Sequence, residues 1–274
     1  MTQGYLNLFG GASKIQYTRD LFFSSFVLKI PVCDAILLSS PNRNFLTAPT
    51  LGDTMNCFFT DDHYGANPGR HIFELLPEDF RAETLFTEND WSVLESGKWE
   101  KDCDLLALHM IAGTCGQPLP GPRAEKAVRA YCERGGDLLL LHGSSAAFWH
   151  WDWWRGMVGL RWVRPEDPDG IAPSTHPVVP CTVEVAKVRH PLALRLRRIE
   201  LPTDEVYIDL EQVSPVTVLM ETTINGRTYP QAYLAATPWG GRIAAFIPGH
   251  KPECTQNPDL IADVTELIQW LKSK

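Results

Sequence analysis

No Cys-x-x-Cys pair occurs in the 274 residues. The seven cysteines, Cys33, Cys57, Cys103, Cys115, Cys132, Cys181 and Cys254, are odd in number and scattered. That argues against a disulfide framework or a zinc knuckle and favours buried free thiols in a reducing compartment. Long runs of like charge are also missing, and the net charge is −8, which argues against nucleic acid or an anionic membrane as partner. The glycine-rich segments "FGGAS" (9–13) and "GTCGQPLPG" (113–121) lack the spacing of a phosphate loop, so no nucleotide cofactor is expected. The N-terminus has no basic stretch followed by an uninterrupted apolar core, and "LFFSSFVLKIPV" (21–32) is too short to span a bilayer. A cytoplasmic protein is the expectation.

What is present is ordinary for a globular chain, with 44% apolar and 21% charged residues. Short continuous apolar runs at 34–40, 104–109, 137–142 and 241–250 suit strands covered on both faces, as in a parallel sheet. Between two of them, Ala124, Ala127, Val128 and Tyr131 recur at helical spacing. Pro122 suits the first turn and Gly135 the end, giving a βαβ unit over 104–142. "NPDLIADVTELIQWLKSK" predicts a closing amphipathic helix capped by Asn257. Between 178 and 236 the runs are short, β-rich and punctuated by turns such as "NGR" (225–227), which predicts antiparallel strands attached to the parallel core. Residues 41–71 read mostly as loop. With no internal repeat or linker, the expectation is one α/β domain over 34–274, preceded by an extension over 1–33 whose role the sequence does not indicate.

Ligands of parallel sheets bind beyond the carboxyl ends of the strands, and three histidines stand there: His109, His142 and His250. Asp204 and Glu205 precede another β-rich run and are candidate ligands or general bases. His176 and His190 each precede a proline and read as turn residues, whereas His63 and His71 fall in the loop region and carry little signal alone. "HGSSA" does not match the G-x-S-x-G elbow of serine hydrolases, so Ser144 or Ser145 as nucleophile is a minor alternative. Among the tryptophans that follow, Trp149 is the one expected to face a ligand, where its ring suits stacking on a sugar.

In order and spacing, "ERGGDLLLLHGSSAAFW", "WWRGMVGLRW", "STHP", "RHPLALRL", "DEVY" and "PWGGRIAAFIPGHKPE" resemble the ThuA-like, or trehalose-utilisation, family over roughly residues 80–274. The resemblance implies a flavodoxin-like three-layer α/β sandwich of the class I glutamine-amidotransferase type, with a mostly parallel central sheet and added antiparallel strands in the C-terminal half. The amidotransferase nucleophile position is occupied by His142, so thiol-based glutamine hydrolysis is not expected. Instead the resemblance implies sugar catabolism on a glycoside or 3-keto-glycoside, by isomerisation, elimination or hydrolysis. It maps catalytic roles onto His142, Glu205 and His250, and a zinc or manganese site onto His109, His142, His176, Glu205 and His250. Ser144, Ser145, Trp149, Asp204, Tyr207 and Lys251 are candidates for positioning the carbohydrate. The competing class is a non-catalytic carbohydrate-binding or scaffold protein, and a homo-oligomer is compatible with either.

Overall fold

The leucine run at 138–141 shows how the sheet is made. All four side chains are buried. Leu138 and Leu140 pack with Leu94, Ala124 and Val128 on one side, and Leu139 and Leu141 with Ile72, Val264 and Leu267 on the other. A strand with alternating side chains and two covered faces needs apolar residues at every position. Each such leucine contributes about 2 kcal/mol through its burial. The computed structural model describes residues 55–114 and 116–273. The expected strand at 34–40, the extension before it and Cys115 lie outside the described residues.

In chain order, β1 (Met55–Thr60) leads into helices α1 (Pro68–Leu75) and α2 (Glu78–Ala82), then β2 (Thr84–Glu88), α3 (Trp91–Ser96) and β3 (Cys103–His109). Helix α4 (Pro122–Glu133), β4 (Asp137–Leu141), the short α5 (Asp152–Arg155) and β5 (Leu160–Arg161) follow. The β-rich segment supplies β6 (Val178–Val185), β7 (Ile199–Glu205), β8 (Glu211–Gln212), β9 (Thr217–Ile224) and β10 (Arg227–Ala236). Strand β11 (Arg242–Phe246) and helices α6 (Pro252–Thr255) and α7 (Pro258–Lys272) close the chain. The main sheet has the order β2-β1-β3-β4-β11-β10-β9-β6-β7. The strands from β2 to β11 are parallel, and from β11 onward each neighbour is antiparallel to the last. Helices α3 and α4 cover one face and α1 and α7 the other, a flavodoxin-like three-layer arrangement. Among the described residues no helix is long and apolar enough to cross a membrane.

Local chemistry accounts for the element ends. Asn257 caps α7 by accepting from the Asp259 and Leu260 backbone N–H groups. Asn225 (φ 51°) and Gly226 (φ 76°) form the two-residue turn between β9 and β10, the left-handed pair that matches hairpin twist. Two expectations are corrected. Of residues 41–71, which read mostly as loop, those described (55–71) hold β1 and the start of α1. The apolar core of β1 is only Cys57–Phe59 between the buried polar residues Asn56 and Thr60, and α1 opens on Asn-Pro-Gly, which reads as a turn. The β-rich stretch at 205–211 is not one strand. Strand β7 ends at Glu205, and beyond it only an isolated Thr175–Ile208 bridge and the two-residue β8 remain.

Candidate metal centre

The carboxyl ends of the parallel strands converge on one rim. His63 lies in the loop after β1, His109 is the last residue of β3, His142 follows β4, and His250 follows β11. Four antiparallel steps separate β11 from β7, so β7 runs in the same direction and delivers Asp204 and Glu205 toward that rim. The sheet curls enough for the two to meet. The Asp204 carboxylate accepts from the backbone N–H groups of Gly249 (2.7 Å) and His250 (3.0 Å). Asp204 thereby fixes the loop that carries His250.

Two of the histidines sit on strained backbone. His63 has φ 45° and His142 φ 52°, a left-handed region that side chains other than Asn, Asp and Gly seldom adopt. His142 thus forms an elbow between β4 and a 3-10 turn over His142–Ala146. Gly143 is required beside it, since a Cβ there would lie 2.2 Å from Ile111 and 3.1 Å from the Tyr207 hydroxyl.

The donor atoms are close. His63 Nε2 is 3.0 Å from His250 Nδ1, which is 3.2 Å from His142 Nε2. Glu205 Oε2 is 3.4 Å from His142 Nε2, and Oε1 is 3.4 Å from His250 Nε2. One donor atom each from His63, His142, Glu205 and His250 lie within 4.8 Å of one another. The Tyr207 hydroxyl is 3.0 Å from His142 Nε2. Behind His63, Asp61 is fully buried: its Oδ2 accepts from Ile111 N–H and the Thr114 hydroxyl, while Oδ1 makes no hydrogen bond of ordinary geometry. That oxygen lies 3.9 Å from His63 Nδ1, itself without a partner.

Electrostatics separates the imidazoles. Burial, reinforced by the neighbouring His142, pulls His63 far below the ordinary histidine value. Burial likewise holds His109 down at about 3. His250 is lowered by burial and by His142, against the pull of Glu205 and Asp204. His142 moves the other way: burial lowers it, but Glu205 and Asp204 outweigh that and raise it. Glu205 is pushed up by burial, yet His142, His250 and His176 leave it below the usual carboxylate range. The centre therefore favours positive charge beside Glu205 and keeps its outer imidazoles neutral.

A divalent cation fits this donor set. His142 Nδ1 is 2.9 Å from the Ile247 carbonyl, which only accepts, so Nδ1 carries the hydrogen and a neutral ring presents its Nε2 lone pair inward. His63 Nε2 and His250 Nδ1 approach the same point as His142 Nε2, and neutral imidazoles that turn a ring nitrogen inward are how proteins ligate metal.

Of the five residues expected around a metal, the structure brings together His142, Glu205 and His250. His176 is more exposed, with Nδ1 3.5 Å from Glu205 Oε1. His109 lies behind the centre, stacked on His142 at 5.7 Å, with neither ring nitrogen hydrogen-bonded. The fourth donor is His63, which the loop reading passed over. Its signal was the one used for the others, a histidine just past a short apolar run. Ser144 is fully buried and bonded to Leu108 and Leu141 carbonyls and the Met110 N–H, and the Ser145 hydroxyl accepts from Trp162 N–H. Both hydroxyls serve the backbone. Trp149 lies under the Arg164 guanidinium (5.5 Å) and beside His150. The tryptophan that touches the centre's surroundings is Trp162, 4.3 Å from Tyr207 and 5.4 Å from His176. Lys251 follows His250 and its carbonyl opens α6.

Comparison with known proteins places this geometry in context. The family model for ThuA, described as trehalose utilisation, matches residues 72–271. A ThuA-like protein from Bacteroides uniformis is 15% identical with a TM-score of 0.60, over 83% of this chain and 96% of its own. Another from Parabacteroides merdae is 14% identical with a TM-score of 0.61, over 81% and 91%. No curated protein matches the chain.

Proposed function

The chain belongs to the ThuA family, described by trehalose utilisation, and we propose that it is a sugar-processing enzyme. Its centre of His63, His142, Glu205 and His250 would hold zinc or manganese and act on a keto-sugar or glycoside by acid–base chemistry. The observation that carries this reading is the convergence of those four donors within 4.8 Å at the carboxyl rim. A divalent cation held by these residues would supply Lewis acidity toward a substrate carbonyl, making the neighbouring C–H more acidic.

The chain's own residues supply the rest. Tyr207 stays a neutral O–H donor, because burial and then the Glu205 and Asp204 charges raise its pKa well above the ordinary value. It can therefore hydrogen-bond a substrate oxygen or the His142 ring. Glu205 and His176, paired at 3.5 Å toward the exposed side, form a route for taking a proton from the substrate and passing it outward. The outcome is isomerisation, or elimination across the glycosidic bond.

The direct test is metal analysis of the purified protein with turnover of a 3-keto-disaccharide. Wild type is expected to carry about one metal per chain, and His250→Ala to lose both metal and turnover. Full turnover by a metal-free His250→Ala protein would overturn the proposal. Asp61→Asn addresses the support of the centre. The substitution keeps the side-chain shape but removes the buried negative charge facing His63. Metal affinity is expected to fall roughly 10–100-fold, measured by competition with a chromophoric chelator.

A further inference from the structure

The loop between β1 and α1 is built on left-handed backbone. His63 (φ 45°), Tyr64 (φ 58°) and Gly65 (φ 83°) follow one another in that region, and Asn67 (φ 50°) joins them after Ala66. The Asp62 carbonyl closes the turn by accepting from the Gly65 and Asn67 N–H groups at 3.0 and 2.9 Å. Glycine and asparagine enter this region readily, whereas a bulky aromatic residue does so only against steric strain. At His63 the strain has a use, since it aims the ring at the centre. Packing gives no such account of Tyr64, whose side chain is 67% exposed. Asparagine or glycine at position 64 would suit the turn better and forfeit little burial. Strain that stabilises nothing marks a side chain kept for binding rather than for folding.

The surroundings of Tyr64 indicate what it binds. Its ring meets the His63 ring edge to face, with centroids 5.5 Å apart. It is also close to Tyr207: burial and then the Glu205 and Asp204 charges raise the Tyr207 pKa, and Tyr64 adds to that rise. The Tyr207 hydroxyl lies 3.0 Å from His142 Nε2. Two phenols therefore approach the centre, one buried and one open to solvent. Among the four donors, His63 and His142 are buried, while the Glu205 and His250 side chains are 12% and 14% exposed. A substrate reaches the centre over those two, and His63, which carries Tyr64 beside it, has its Nε2 3.0 Å from His250 Nδ1. We propose that Tyr64 is a substrate-positioning residue, its hydroxyl donating a hydrogen bond to a substrate oxygen at the mouth of the centre. The proposal rests on the sugar-processing reading and names for it a residue that sets substrate affinity.

Steady-state kinetics of the full, metal-loaded chain on a 3-keto-disaccharide test this, with metal content and the thermal midpoint measured alongside. Tyr64→Phe keeps the ring and removes only the hydroxyl. Its KM is expected to rise about three- to tenfold with kcat within about twofold, the ordinary weight of one neutral hydrogen bond. Tyr64→Asn, which suits the left-handed backbone, is expected to raise KM at least as far. Its metal content should stay at the wild-type level, and its midpoint should hold or climb by about 1–3 °C. A tyrosine that only supported the fold would not lose affinity while stability held or rose. Wild-type KM in either variant would overturn the proposal. So would lost metal or a lower midpoint in Tyr64→Asn, which would make Tyr64 a prop of the His63 loop. Each of these results leaves the reading of the centre standing. Absence of turnover by the wild type would overturn the sugar-processing reading, and this proposal with it.

Discussion

Alanine at position 142 is expected to strip the protein of its metal and to lower turnover of a 3-keto-disaccharide by more than about a hundredfold. Loss of a residue that merely supports a ligand costs roughly 10–100-fold, and in the proposed centre His142 would itself be a ligand. Its Nε2 faces His250, Glu205 and the Tyr207 hydroxyl at 3.2, 3.4 and 3.0 Å, and its Nδ1 is tied to the Ile247 carbonyl. Alanine also strains the backbone at φ 52°, so His142→Asn is the matched control, because asparagine tolerates this region. Loss of metal from both variants, with the fold retained by circular dichroism, identifies the side chain as the ligand; retention in either overturns the assignment. Acid is expected to mimic the substitution. Glu205 and Asp204 raise the pKa of His142 despite its burial. A proton on Nε2 would exclude the metal, so affinity is expected to fall as the pH drops through that raised value. Equilibrium dialysis across pH checks the direction.

The second large effect is expected at a position that touches no ligand. Gly69 lies in the first turn of α1, where a Cβ would sit 2.1 Å from Thr60 Oγ1 and 2.9 Å from His109 Cβ. Helix and strand ends are in direct contact there, and Thr60 holds the rim together by hydrogen-bonding the His109 and Asp61 carbonyls at 2.8 Å. Gly69→Ala must push α1 outward or turn Thr60 away from its partners. The expected cost is about 1–3 kcal/mol, read as a lower urea midpoint. Weaker metal retention should accompany it, because the loop carrying His63 joins β1 to this helix. A variant with wild-type midpoint and metal content would show that the contact relaxes without consequence.

The central layers were legible in the sequence because their signals are local. Leu138–Leu141 announces a doubly covered strand, Asn257-Pro258 a helix start, and Asn225-Gly226 a hairpin. Likewise His142 and His250 were legible as strand-end residues. The remainder depended on non-local facts. His63 was obscured because β1 is short and flanked by polar residues that are buried against its neighbours. Whether Trp149 or Trp162 approaches the centre is decided by how the chain turns after α5, and neighbouring tryptophans look alike in sequence. The role of Ser144 was equally hidden, since its hydroxyl bonds Leu108 and Met110 on the adjacent strand end.

His63 and His250 stand 187 positions apart yet approach to 3.0 Å. Their meeting requires the strands between them to be in register, so an unfolded chain has no comparable grouping of ligands. Metal binding at the proposed centre would then be selective for the native state, and mass action would turn it into stability: a cation at a hundred times its Kd adds about 2.7 kcal/mol. Chelation should lower the melting temperature as well as stop turnover, and a rise in Tm on adding metal would report that the whole sheet has assembled.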